Sequence, residues 1–338
     1  MRKILVTGGA GYIGSHTCVE LLNSGYEVII FDNFCNSSPV AVERITEITK
    51  KSVTHVYGNI LDQQAIEEAL IKYNCDTVIH FAGLKSVGES TRNPLAYYEN
   101  NVVGTTKLLQ AMSKCNVKNL VFSSSATVYG QPQFLPLNED HPLSTTNPYG
   151  SSKLIIEGIL RDLYASDKSW SITMLRYFNP VGAHSSGRIG EDPQGTPNNL
   201  MPYIAQVAVG KLEKLTVFGD DYDTKDGTGV RDYIHVTDLA LGHLKSVEQI
   251  GSSQCLAINL GTGVGYSVLE VVEAFKAASS RDIPYQFSPR RAGDVASCFA
   301  DPKLAKDILG WEANLGIQQM CQDHWNWQYS NPNGYGLK

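Results

Sequence analysis

The chain has 338 residues, 42% of them hydrophobic and 18% charged, with a formal net charge of -6 and a pI near 5.8. That is ample apolar material for two domains or one large α/β unit. The acidic balance argues against nucleic acid or an anionic membrane as the main partner, and no apolar run approaches the length of a membrane span.

Lys3 to Val6 is a short apolar run with β-branched residues, followed at once by Gly8, Gly11 and Gly14 and then by a helical pattern from Ser15 to Asn23. The order strand, glycine turn, helix suits a nucleotide, because glycines let the backbone approach a pyrophosphate at a helix N-terminus. A strand so close to the N-terminus predicts no signal peptide. The second strand, Glu27 to Phe31, ends at Asp32, 18 residues beyond Gly14. A carboxylate there accepts from the adenosine ribose 2′-hydroxyl and repels a 2′-phosphate, which predicts NAD rather than NADP. Asn33 and Asn36 continue that loop.

A helix from Ala41 to Lys50, a strand from Thr54 to Tyr57 and a helix from Gln63 to Tyr73 are expected next. Thr77 to His80 then runs into Phe81-Ala82-Gly83-Leu84-Lys85, a strand ending in a small-residue turn suited to close cofactor approach. Lys85 is either a solvated loop charge or a cofactor or substrate contact. A helix is expected from Leu95 to about Ser113, and it carries Asn100, whose amide would bond the cofactor or a neighbouring loop. Leu120 to Phe122 is a strand delivering Ser123-Ser124-Ser125.

After a proline-rich loop comes Pro148-Tyr149-Gly150-Ser151-Ser152-Lys153, opening a helix to about Ser166. Tyrosine and lysine four apart share one helix face. A free tyrosine has a pKa near ~10, and a nearby ammonium brings it down, so the pair suits proton removal from a hydroxyl while another group takes a hydride. Alone, such a pair is common on helix surfaces; its weight comes from the nucleotide-binding start and the serine cluster upstream. Ile172 to Arg176 is the next strand. The alternation predicts a doubly wound parallel sheet, a Rossmann domain over residues 1–180.

From Val181 to Pro202 the chain is rich in Gly, Pro, Ser and Asn and reads as a long loop into a smaller α/β substrate domain, residues 181–338. Expected there are a helix to about Val209, strands at Leu215–Phe218, Val230–Val236 and Leu256–Leu260, and helices at Leu239–Ile250 and Val268–Ala278. The seven cysteines are scattered without a Cys-x-x-Cys, as expected of free thiols in a reducing cytoplasm. The eight histidines form no metal-spaced cluster, so no metal is expected.

Assembled, these motifs resemble the UDP-galactose 4-epimerases of the extended short-chain dehydrogenase/reductase superfamily over nearly the whole chain. The most specific pieces are Thr7 to His16, Phe81 to Lys85, Ser123 to Gly130, Pro148 to Lys153, Arg176 to Pro180, Asn198 to Pro202 and Val230 to His235. The resemblance implies a tightly held NAD+ and C4 epimerisation through a 4-keto sugar. In it Tyr149 is the base, Lys153 bonds the nicotinamide ribose and, with the cationic nicotinamide, lowers the Tyr149 pKa, and Ser125 bonds the 4-oxygen. It assigns NAD contacts to Tyr12, Ile13, Asp32, Asn33, Asn36, Ser37, Asn59, Ile60, Phe81, Ala82, Lys85, Asn100 and Phe178. It assigns uridine-diphosphate contacts to Asn179, Asn199, Leu200, Phe218, Arg231, Arg291 and Asp294, and the family's usual form is a homodimer. Two arginines suit a diphosphate; without the resemblance, Arg231 and Arg291 read as surface or ion-pair residues.

Two positions depart from the best-known bacterial pattern. Asn59 replaces an acid at the adenine amine, where an amide oxygen accepts the same bond. Cys298 replaces a tyrosine at the sugar end, and the gap it leaves predicts room for a C2 N-acetyl group, hence use of UDP-N-acetylglucosamine and UDP-N-acetylgalactosamine as well. Competing readings are a nucleotide-sugar 4,6-dehydratase, which carries Thr-Asp-Glu where this chain has Ser125-Ala126-Thr127, and a non-catalytic NAD-binding regulator, which has no need of Tyr149, Lys153 and Ser125 together.

Overall fold

The computed structural model describes residues 2–193, 195, 197–291 and 293–336. The first half runs β1 (Lys3–Thr7), α1 (Tyr12–Asn23), β2 (Glu27–Asp32), α2 (Pro39–Thr49), β3 (Thr54–Tyr57), α3 (Gln63–Tyr73), β4 (Thr77–His80), α4 (Val87–Arg92), α5 (Pro94–Tyr97), α6 (Gly104–Lys114), β5 (Asn119–Ser125), α7 (Pro148–Ser166) and β6 (Ser171–Tyr177). The second runs β7 (Asn179–Val181), α8 (Leu200–Ala208), β8 (Leu215–Phe218), β9 (Val230–His235), α9 (Val236–Gln249), β10 (Gln254–Leu260), β11 (Gly265–Ser267), α10 (Val268–Ser279), β12 (Tyr285–Ser288), β13 (Ser297–Cys298), α11 (Lys303–Leu309) and α12 (Ile317–Ser330). Helix starts follow capping chemistry: Asp62 accepts from Ala65 N, Asn147 from Gly150 N with Pro148 behind it, and Ser267 with Glu270 forms a capping box.

Seven strands form one parallel sheet in the order β10-β6-β5-β4-β1-β2-β3. Ile4 and Val6 pack into one buried cluster and Leu5 into the other, so both faces of the sheet are covered. The strand order reverses between β1 and β4, and ligand crevices open at such points beyond the carboxyl ends of the strands. A second unit is built from β7, β9, β11 and β13, the β8–β12 pair, and the apolar faces of α8, α10 and α12.

The division of the chain is not a single cut at residue 180. Helix α9 packs its Leu239, Leu244 and Val247 into the cluster that holds Val19 and Leu22 of α1, and β10 pairs with β6 along its length. Without β10, the buried strand β6 would present an open, apolar sheet edge. The helix expected from Leu95 to Ser113 is also interrupted: Tyr98–Val103 is π-helical between α5 and α6. Residues past 278, where the sequence predicts no element, supply β12, β13, α11 and α12.

Candidate active site

A cleft of about 790 Å³ runs along the carboxyl ends of the sheet and under the second unit. Its floor at one end is the glycine turn. Gly8 adopts φ +70°, and a Cβ there would stand 2.7 Å from Ala82 N; at Gly14 a Cβ would stand 2.3 Å from the Gly8 carbonyl. Only glycine allows this approach of the β1 and β4 loops. Helix α1 begins without a side-chain cap, and Gly11, Tyr12 and Ile13 at its N-terminus line the cleft, a setting for a pyrophosphate.

Asp32 ends β2 beside that turn, buried, and lines the cleft with Asn33, Asn36 and Ser37. Its Oδ2 accepts from Ala10 N at 3.0 Å, and its Oδ1 accepts from Phe34 N and Ser37 Oγ, both at 2.9 Å. A carboxylate has about four lone-pair sites, so one is left for a ribose hydroxyl. Ile60, Phe81, Ala82, Gly83, Lys85 and Asn100 continue the same wall. The π-helical segment brings Asn100 to the cleft while Asn101 turns into the fold, accepting from Leu84 N at 2.8 Å and donating to Ser152 Oγ at 3.1 Å. Asn59 stands off the cleft, exposed, with its Oδ1 capping Leu61 N at 3.0 Å.

Tyr149, Lys153 and Ser125 converge midway. The Ser125 hydroxyl oxygen accepts from Thr127 N at 3.2 Å and Thr127 Oγ1 at 3.0 Å, leaving its own proton free on the side of Tyr149. Lys153 is buried and donates to the Ser123 carbonyl at 2.7 Å, with Nζ 5.9 Å from the Tyr149 ring centre. Helix α7, which carries both, is tied to the sheet by Glu157, whose carboxylate takes Arg176 Nε at 3.0 Å, Arg176 Nη2 at 2.7 Å and Ser124 Oγ at 2.6 Å. Burial pushes the Tyr149 phenol up and Ser125 opposes it; the expected depression belongs to Lys153 acting with the cationic nicotinamide of bound NAD+. The ammonium is engaged by a carbonyl, and burial draws the Lys153 pKa down to about 8.

A family model described as GDP-mannose 4,6 dehydratase matches residues 5–324. The chain is 62% identical to the UDP-glucose 4-epimerase of Bacillus subtilis (strain 168) over 333 residues, 98% of each chain. It is 57% identical to that of Homo sapiens over 345 residues, covering 100% of this chain and 99% of that one. The solved structure of UDP-glucose 4-epimerase from Bifidobacterium longum in complex with NAD+ and UDP superimposes with a TM-score of 0.96 at 56% identity, over 98% of this chain and 99% of that one. The chain belongs to the UDP-glucose 4-epimerase family. The family model takes its description from a dehydratase, but the full-length relatives are epimerases. Ser125, which ends β5, and the Ala126-Thr127 that follow also hold no carboxylate.

The far end of the epimerase cleft is built by the second unit. Phe178, Asn179, Asn199, Leu200, Arg231, Asp294 and Cys298 line it. Arg231 and Cys298 are register partners on β9 and β13. Arg291 and Phe218 do not line the cleft: the guanidinium lies 4.8 Å above the Phe218 ring and donates to Asp294 Oδ2 at 3.0 Å, forming a pair beside the mouth. The expectation of two arginines on the cleft wall is therefore met by Arg231 alone. Burial raises the Cys298 thiol to about 11, with Arg231 opposing, so it is a neutral group.

Sequence reading missed Tyr177 and Glu191, both of which line the cleft. Tyr177 sits inside the Arg-Tyr-Phe-Asn-Pro motif, but nothing in the motif points to its partner. That partner is His243 of α9, whose Nδ1 faces the Leu239 carbonyl at 2.8 Å. Nδ1 therefore carries the proton and Nε2 accepts from the Tyr177 hydroxyl. Burial holds His243 down to about 4, so it is neutral in this role. Among the described residues no His, Cys, Asp and Glu cluster could hold a metal, and no helix is long and apolar enough to cross a membrane.

Proposed function

We infer that the enzyme catalyses reversible epimerisation at C4 of UDP-galactose and UDP-glucose through a 4-keto intermediate, with a resident NAD+. The reading rests on one continuous cleft that carries a glycine turn with Asp32 at one end, Tyr149 with Ser125 and Lys153 in the middle, and Arg231 with Asn179 and Asn199 at the other. Bound NAD+ supplies the acceptor, and then the donor, of the C4 hydride. Tyr149 takes the proton of the 4-hydroxyl and later returns it. Ser125, with its proton free, bonds the same oxygen and hands the proton across. Lys153 would bond the nicotinamide ribose and hold positive charge near the phenol. Arg231 neutralises diphosphate charge, and Arg291 reaches it from the mouth of the cleft. Incubating the purified protein with UDP-galactose and no added NAD+ must yield UDP-glucose. A 4-keto-6-deoxy product would mean a dehydratase, and an unchanged nucleotide sugar a regulator.

Cys298 favours a second substrate pair. A cysteine on the cleft wall fills less space than an aromatic ring, and pockets resist overpacking. The enzyme therefore also interconverts UDP-N-acetylglucosamine and UDP-N-acetylgalactosamine. Undetectable turnover of that pair, where UDP-galactose turns over well, refutes this reading.

The protein works in the cytoplasm as a homodimer. Seven free thiols favour a reducing compartment. Leu95, Val103 and Ile155 are 78%, 45% and 43% exposed where α5, the π-helical segment and α7 pack together, apolar surface that a second copy would cover. Light scattering at micromolar concentration tests the assembly, and a monomer there overturns it.

A further inference from the structure

The loop between β7 and α8 holds a carboxylate that the roles assigned so far leave unexplained. Glu191 is 4% exposed at its side chain and lines the cleft. Its Oε1 accepts from Lys85 Nζ and from Asn199 Nδ2, each at 3.1 Å. Lys85 belongs to the loop after β4, and Asn199 is the N-cap residue of α8, whose side chain caps no helix N–H. One oxygen thus braces two cleft walls that come from different units of the fold. The residue cannot easily swing away, because the Trp327 indole donates to its carbonyl at 3.1 Å.

The other oxygen, Oε2, is buried and has no partner among the described residues. Buried polar atoms are almost always paired, and a charged one left bare is costly. An ionised carboxylate only accepts, so its missing partner is a donor. NAD+ and a UDP-sugar bring base N–H groups, the nicotinamide amide and sugar hydroxyls to this cleft as donors, and of these only the hexose hydroxyls change place during turnover. The adenosine ribose falls to Asp32 and the nicotinamide ribose to Lys153, and the Tyr12 hydroxyl is already committed to the Gly182 carbonyl at 2.7 Å. The hexose remains, and its hydroxyls must find new partners each time the 4-keto sugar presents its other face.

We propose that Glu191 is a sugar-binding residue: Oε2 accepts a hexose hydroxyl while Oε1 holds Lys85 and Asn199 at the walls of the space in which the sugar turns. This rests on the epimerase reading above. The test is calorimetric binding of UDP, UDP-galactose and its 2-, 3- and 6-deoxy analogues to NAD-loaded wild type and E191A. Loss of the Asn199 brace weakens UDP and UDP-galactose by one shared small factor, UDP-galactose affinity falls about 10- to 100-fold beyond it, and for one deoxy analogue the two proteins differ only by that shared factor. Equal weakening of UDP and UDP-galactose, or a further difference that survives every deoxy analogue, overturns the proposal. If E191A does not fold, E191Q keeps the volume and must show the same pattern at about tenfold, an amide being the weaker acceptor. Failure of the underlying reaction shows separately, as wild type that binds UDP-galactose without converting it.

Discussion

Replacing Tyr149 by Phe removes one hydroxyl and little else. Tyr149 is the second residue of α7, and the helix start is secured independently by Asn147 and Pro148. The ring keeps its half-buried place, and what is lost inside the protein is at most the contact through which Ser125 lowers the phenol pKa. A neutral hydrogen bond is worth ~0.5–1.5 kcal/mol net, so UDP-galactose affinity should move by about tenfold at most. The rate has no such cushion. A positioned acid–base group contributes ~10²–10⁴-fold, about 3–5.5 kcal/mol of barrier. With the phenol gone, Ser125 retains a hydroxyl but no acceptor for the 4-hydroxyl proton, because Lys153 is turned onto the Ser123 carbonyl. Steady-state conversion of UDP-galactose, with calorimetric binding on the same preparation, separates the two quantities. A variant within tenfold of wild type in kcat refutes Tyr149 as the base. Parallel loss of binding and rate refutes the claim that only chemistry was removed.

Glu157→Gln should destabilise the protein by ~3–5 kcal/mol, because it leaves the Arg176 guanidinium buried and uncompensated; urea unfolding of the NAD-loaded protein measures it. Burial alone would raise the Glu157 carboxyl, but the Arg176 hydrogen bonds win and hold it below its ordinary value. Its contribution is thus complete above the ordinary carboxylate pKa of about 4.3 and disappears as pH falls through the lower native value, so the gap between wild type and variant should close in acid. The nucleotide released on denaturation should be NAD by mass, since Asp32 would face a 2′-phosphate across its buried oxygens; NADP would show that Asp32 is misassigned. Cys298→Tyr should abolish N-acetylated sugar turnover and leave UDP-galactose turnover within a small factor; equal loss of both would mean that position 298 does not discriminate.

Most elements of the first half of the molecule, and the residues that meet at its centre, are legible in the chain alone. Local signals carry that information: glycines at fixed spacing, an acid at a strand end, a tyrosine and lysine one helical turn apart, caps at helix starts. Each depends on residues near one another in the chain. The remainder depends on partners far apart in the chain. Strand β10 returned to the first sheet because β6 needed a neighbour, which no local pattern in residues 254–260 reveals. Burial, a property of the whole fold, pushed the Tyr149 phenol up and drew Lys153 down. Arg291 was drawn to Phe218 and Asp294, beside the cleft rather than on its wall. His243 met Tyr177 across 66 residues, and Glu191 met Lys85 across 106. A carboxylate in a polar loop looks solvated in sequence; Trp327, brought from 136 residues further on, anchors its backbone beneath the second unit, and its unpaired oxygen is visible only in the fold.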